Sequence, residues 1–269
     1  MKRPVPVLMY HHISPHRGDT VTVTPYVFDE QMAHLRNKGV RTLRLEELLA
    51  LILGDLTVQE KAVAVTFDDG WLDNYHYAFP VLKKHNVNAA VFVVTDRVER
   101  ATRMIPADGQ SRVPTHKEAK DFLKKGEDFR VSLNWAHLSD MTGSGVVDVY
   151  SHTKSHARCD ELSADDVRTE LAGSKDLIER RLGRDCPFLC WPYGAYNKET
   201  VAIAMETGYE ALFTTRHGVA EKGADPFAIS RIVVKDGVSW FRKRMSVYTH
   251  PFLSRLYLAL KGKGKADTC

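Results

Sequence analysis

Apolar runs of strand length alternate with stretches of helical period through most of the chain. Residues 5–10, Val-Pro-Val-Leu-Met-Tyr, open the series as a strand. Thr24-Pro25 then marks a helix start, because proline at the first helical position gives up an N–H that would go unused. That helix carries Met32 and Leu35 and stops at Gly39. Residues 62–67, Ala-Val-Ala-Val-Thr-Phe, lack the polar alternation of a half-exposed strand, which predicts a strand covered on both faces of a parallel sheet. Further strands are expected at 40–45, 89–95, 146–150, 188–191, 211–215 and 227–234. Helices fall between them: one carrying Leu48, Leu49 and Ile52 to a stop at Gly54, then 75–85, 135–141, 167–182 and 199–207. Ser163 with Asp166 caps the longest of these, and Gly183 ends it.

This order amounts to six to eight β/α repeats. With right-handed crossovers throughout, it predicts a single-domain α/β barrel in preference to an open sheet. Residues 1–236 form the barrel, and the polar, Lys- and Arg-rich stretch 97–127 reads as an insertion over its mouth. Residues 237–269 read as a helical, basic tail, ending in a disordered Lys-Gly stretch at 261–265.

Composition narrows the classes. In 269 residues, 43% are hydrophobic and 27% charged, which excludes a wholly disordered or fibrous chain. Thirty-eight Lys and Arg against 34 Asp and Glu leave a net charge of +4, too small and too dispersed for a nucleic-acid binder. No apolar run reaches the roughly 18 residues of a membrane span. After Lys2-Arg3 no apolar secretory core follows, because Tyr10-His11-His12 interrupts it. The four cysteines, Cys159, Cys186, Cys190 and Cys269, form no C-x-x-C pair and read as free thiols. Both features point to a cytoplasmic protein.

In a β/α barrel, chemistry collects where the strands end. Asp68-Asp69-Gly70 follows the strand at 62–67, Ser151-His152-Thr153-Lys154-Ser155-His156 follows that at 146–150, and Pro192-Tyr193-Gly194 follows that at 188–191. Each alone is an ordinary turn or, for the histidines, a solvated helix face. Together at strand ends they describe a metal site, since two imidazoles and one carboxylate leave open positions on a divalent ion. One of Asp68 and Asp69 then completes the ligand set and the other is free to act as a base. Neighbours in a regular strand face opposite ways, so both serve one site only if the strand ends at Asp68.

These three motifs, in order and spacing, resemble those of the NodB-homology polysaccharide deacetylases, carbohydrate esterase family four. Met9-Tyr10-His11-His12-Ile13, Leu133-Asn134-Trp135 and Ser144-Gly145 further resemble the poly-N-acetylglucosamine deacetylase-like subgroup, and the likeness runs over roughly residues 5–235. It implies a distorted (β/α)7 barrel and a metal-dependent hydrolase that removes the N-acetyl group from a sugar of a cell-surface glycan or its lipid-linked precursor, releasing acetate. By the same resemblance Asp68 is the general base, Asp69, His152 and His156 are the metal ligands, and the backbone N–H of Tyr193 helps hold the oxyanion. The metal is expected to be zinc, with cobalt, nickel and iron also suited to such ligands.

Two positions depart from the family pattern. Cys190 stands where many members carry an arginine facing the catalytic aspartate, and Arg231 on the last strand is the expected substitute. No late Leu-x-His supplies a general acid, which leaves His11, His12, His217 and His250 as candidates. The rivals are a catalytically weak glycan-binding barrel and a glycoside hydrolase, the latter requiring two carboxylates on either side of the scissile bond. Beyond the barrel, Phe252, Leu253, Leu256, Tyr257 and Leu260 beside basic residues suit peripheral contact with the inner membrane leaflet.

Overall fold

The structure, a computed structural model, describes residues 3–17, 19–104 and 113–262. Seven parallel strands close into a ring: β1 (Val7–Tyr10), β5 (Ala62–Phe67), β6 (Ala89–Val93), β7 (Val147–Ser151), β8 (Phe188–Cys190), β9 (Ala211–His217) and β10 (Ile229–Val233). Closure comes from β1, which pairs with β5 through Leu8 and Val65 on one side and with β10 through Leu8 and Ile232 on the other. The short strands β2 (His12–Ile13) and β3 (Thr22–Val23) pair outside the ring.

The barrel is distorted at one seam. β5 and β6 pair only through Thr66 with Ala90 and Phe67 with Val91. Below that, β4 (Arg41–Thr42) adds to β5, and Thr42 accepts the side-chain amide of Asn88 through its carbonyl at 3.0 Å. The strand expected at 40–45 is therefore cut to two residues, because the chain turns into α2 (Leu45–Leu53) as soon as the seam is filled.

Helices surround the ring: α1 (Pro25–Asn37), α2, α3 (Phe79–His85), α4 (Thr95–Arg103), α5 (His116–Lys124), α6 (Trp135–Gly143), α7 (Ala164–Leu182) and α8 (Lys198–Glu206). Pro25 opens α1 as expected, but the Thr24 hydroxyl bonds Asp236 at 2.8 Å instead of capping the helix. Ser163 does cap α7, accepting the Asp166 N–H, and Gly183 ends it at φ +65°. The helix expected at 75–85 starts as a π turn over Asn74–Ala78, directly before Pro80, which has no N–H to continue an α ladder. α5 falls inside the stretch read as an insertion, and α4, which starts at Thr95, runs into it.

The core is continuous from the barrel to its helices, with Phe67, Phe92 and Phe213 fully buried. Burying each such side chain contributes about 1.5–3 kcal/mol. A smaller cluster at the mouth joins Trp71 to Ala119 and Val131 of the 113–133 stretch. Beyond β10, α9 (Val238–Tyr248) buries Phe241 and Met245, with Phe241 edge-on to His34 of α1. α10 (Pro251–Gly262) rests on α9 through Tyr257, whose ring meets Tyr248 at 5.6 Å. The Lys-Gly tail from residue 263 and Cys269 lie outside the described residues. No described helix is long and apolar enough to cross a membrane.

Candidate active site

β5 ends at Phe67, one residue before the carboxylate pair, and the backbone then turns left-handed twice, at Asp69 (φ +71°) and Gly70 (φ +67°). Aspartate tolerates that conformation better than most residues, and the turn brings both carboxylates to one side of the mouth. A Cβ at residue 70 would come within 3.0 Å of the Val93 side chain, so glycine is required there on two counts.

Asp68 is 2% exposed and held by Arg231 through two hydrogen bonds of 2.7 Å, Nη1 to Oδ1 and Nη2 to Oδ2. This is the reach expected of Arg231 from the last strand. Arg231 is itself fully buried and spends its other donors on the Thr214 carbonyl, the Thr66 hydroxyl and the Cys190 sulfur. Burial pushes the Asp68 carboxyl up, but the Arg231 charge and hydrogen bonds outweigh it and hold the group below its usual range. Burial also keeps Cys190 protonated, its thiol pKa raised well above normal. Cys190 thus sits 3.0 Å from the Arg231 guanidinium, and the cation for Asp68 arrives from β10.

Asp69 faces the two histidines. Its Oδ1 lies 2.9 Å from His156 Nε2 and 3.7 Å from His152 Nε2, and it is buried without an aligned hydrogen-bond donor. Its Oδ2 takes the Trp71 indole N–H at 3.0 Å. His152 Nδ1 lies 2.7 Å from the Cys190 carbonyl, which only accepts, so the proton is on Nδ1 and the Nε2 lone pair is free. Burial lowers the His152 pKa to about 4, keeping the ring neutral. His156 Nδ1 meets the Tyr193 hydroxyl at 3.1 Å. A helix is not what joins the two histidines. The turn is irregular, with Thr153 at φ +65° and His156 at φ +68°, and Glu170 of α7 pins it by accepting the Ser155 N–H and hydroxyl at 2.8 and 2.7 Å.

A carboxylate oxygen without an aligned hydrogen-bond donor, facing the Nε2 atoms of two imidazoles, is a donor set that fits a divalent cation. Asp68, His152 and Cys190 also lie within ligand distance of one another. That second set is a poor one, because Asp68 is spent on Arg231 and a ligating cysteine must be a thiolate.

The four histidines considered as general acids separate cleanly. His11 Nε2 lies 3.9 Å from Asp68 Oδ2 at the mouth, its side chain 22% exposed. Burial lowers its pKa, against the pull of Asp68 and Asp69. His12 is committed elsewhere, with Nδ1 at 2.5 Å from Asp73 and Nε2 at 2.9 Å from His116. His217 meets the Tyr248 hydroxyl at 3.0 Å, and His250 Nδ1 accepts N–H groups of α10.

Sequence reasoning missed Trp71, Asp73, Arg97, His116 and Glu170. Trp71 directly follows Asp68-Asp69-Gly70, and Arg97 stands just past a strand end, so both positions carried a signal. Arg97 was absorbed into the polar stretch. His116 and Glu170 had no signal, because only the tertiary fold brings them near.

The polysaccharide deacetylase family model matches residues 55–212. Bacillus subtilis YxkH, provisionally named a polysaccharide deacetylase, is 29% identical over 87% of this chain and 73% of its own. The poly-beta-1,6-N-acetyl-D-glucosamine N-deacetylase of Escherichia coli is 21% identical over 86% of this chain, which spans only 37% of that enzyme. Among solved structures, the Streptococcus pyogenes deacetylase PplD in complex with acetate superposes with a TM-score of 0.76 at 25% identity, covering 91% of this chain and 99% of its own. With the family model spanning more than half of the sequence over both the Asp-Asp-Gly and His motifs, this chain belongs to the polysaccharide deacetylases, hydrolases of the N-acetyl amide bond.

Proposed function

We propose that the protein is a metal-dependent N-deacetylase of an N-acetylated amino sugar, acting on a glycan or its lipid-linked precursor and releasing acetate. The carrying observation is Asp69 Oδ1, without an aligned hydrogen-bond donor, facing the Nε2 atoms of His152 and His156, one residue from an Asp68 carboxylate clamped by Arg231. Asp69, His152 and His156 would hold the ion. When bound, such an ion polarises the amide carbonyl and makes water acidic enough to attack near neutral pH.

The chain's own groups do the rest. Asp68, kept ionised and aimed by a two-pronged guanidinium, takes the proton of the attacking water. By the family resemblance, the Tyr193 N–H would help hold the developing oxyanion. His11, the histidine nearest Asp68, delivers a proton to the departing amine. The exposed Tyr193 ring, 62% accessible above His156, offers a sugar an apolar face. A glycoside hydrolase would leave both histidines without work, and its two carboxylates would be spaced across the bond, not consecutive.

The relatives' substrates point to a poly-N-acetylglucosamine as the first glycan to try. For the precursor form, the supporting feature is α10, whose Phe252, Leu253, Leu256 and Leu260 are exposed along one face. With basic residues nearby, that face suits the anionic inner leaflet, and a cytoplasmic enzyme would meet lipid-linked sugars there. Acetate release should be measured on N-acetylated oligosaccharides and lipid-linked sugars, with and without chelator. Release abolished by chelator and restored by zinc, cobalt, nickel or iron is expected. Release indifferent to chelation overturns metal dependence, and stoichiometric metal without release on any substrate favours the glycan-binding barrel.

A further inference from the structure

We infer that Arg97 is a further catalytic residue, donating to the acetyl oxygen as it becomes the carboxylate of acetate. The inference rests on the deacetylase reading above and adds a residue that the family motifs did not point to.

Two arginines reach this site, and they are used differently. Arg231 spends all five of its N–H donors, on Thr214, Thr66, Asp68 twice and Cys190. Arg97 makes no side-chain hydrogen bond among the described residues, although its side chain is only 14% exposed. Its Nη1 stands 3.6 Å from Asp69 Oδ1, and its guanidinium carbon lies 5.8 Å from the centre of the Trp71 ring. Half-buried at the mouth and hydrogen-bonded to no acceptor among the described residues, the guanidinium is open to an acceptor that enters there.

Neutralising Asp69 does not account for it. The Trp71 N–H already holds Oδ2, His156 Nε2 stands closer to Oδ1 than Arg97 does, and Nη1 stays beyond hydrogen-bond distance. Helix stability does not account for it either. Arg97 lies in the first turn of α4, where the helix dipole disfavours a cation, and the backbone N–H groups of Thr95 and Asp96 are already given to Thr153 and Lys154 carbonyls. What remains is an incoming electron-rich oxygen. The amide carbonyl gains negative charge during attack and leaves as a carboxylate, the anion that a guanidinium fork matches best. A donor placed where that charge develops acts mainly on kcat.

The test uses full-length protein with Arg97→Ala and Arg97→Lys, the latter keeping charge and stem if the former fails to fold. Expected for Arg97→Ala is a kcat lower by about a hundredfold, with KM within about threefold and metal content unchanged. Acetate binding, read by calorimetry on metal-loaded and chelated protein, should weaken about tenfold in both states. Arg97→Lys should recover part of the acetate affinity but little of kcat, because a point charge lacks the planar fork. Unchanged kcat with unchanged acetate affinity overturns the inference. So does lost metal, which would make Arg97 a support of Asp69, and so does a KM effect confined to anionic glycans, which would make it a reader of substrate charge. If the wild type binds acetate through Arg97 yet deacetylates nothing, the deacetylase reading fails while the anion site stands.

Discussion

At the scale of the residue, the two carboxylates are held by different partners: Asp68 by Arg231, Asp69 by Trp71 on one oxygen. Arg231 clamps Asp68 with both terminal nitrogens, so it fixes the carboxylate plane as well as its charge. Arg231→Lys keeps the charge but loses the fork, and five buried contacts cannot be remade by one ammonium. We expect kcat to fall by about 10- to 100-fold at unchanged metal content, measured by acetate release beside metal analysis. Trp71 plays the matching part for Asp69, since its N–H engages Oδ2 and leaves Oδ1 free for the ion proposed above. Trp71→Phe keeps the stacking on His12, seen at 4.3 Å between ring centres, but removes that donor. Metal affinity should drop by about 10- to 100-fold in a competition titration, the usual effect of losing an outer hydrogen bond to a ligand. An unchanged affinity would mean that Asp69 is held by the histidines alone.

At the scale of the element, what holds the site in place lies behind it. Glu170 is buried on α7 and accepts two hydrogen bonds from Ser155, fixing the turn between His152 and His156. Glu170→Ala removes both hydrogen bonds to Ser155, whose own position is open to water, so unfolding by denaturant should show a loss of about 1–2 kcal/mol, with weaker metal binding alongside. Alternation of apolar runs and helical stretches exposed the barrel because each strand is covered on both faces, and Asp68, His152 and Tyr193 were legible because they directly follow such runs. Arg231 was legible for another reason: Cys190 left a carboxylate needing a cation. Glu170, His116 and Asp73 were not, since their partners are 15, 104 and 61 residues away and no local pattern encodes those meetings. α5 was missed because its apolar residues, Ala119, Phe122 and Leu123, serve a small cluster around Trp71 and not the main core.

At the scale of the whole molecule, the closed ring puts Asp68, Asp69, His152, His156 and Arg231 at one mouth and leaves α10 as the conspicuous apolar surface beyond the barrel. α10 is anchored by buried Ser254 and by Tyr257, with Arg244 4.4 Å from the Tyr257 ring, so its exposed face is presented by a docked helix. Phe252 and Leu260 are 62% and 65% exposed, and Leu253 and Leu256 lie on the same side. Arg255, its side chain 73% exposed, contacts Glu221 beside that face. Apolar side chains entering the acyl boundary and nearby cations contributing about 1 kcal/mol each would give loose, salt-sensitive attachment to an anionic bilayer. Phe252→Ser, Leu256→Ser and Leu260→Ser combined leave only Leu253 of the apolar face and keep the Ser254 and Tyr257 packing intact. In vesicle sedimentation at low salt, the wild type should pellet with phosphatidylglycerol vesicles, stay soluble with purely zwitterionic ones, and be released by added salt. The triple variant should stay soluble with both while keeping its melting temperature and its activity on water-soluble glycans. A wild type that ignores anionic vesicles, or a triple variant that pellets equally well, would remove α10 as a membrane contact and with it the argument for a lipid-linked substrate.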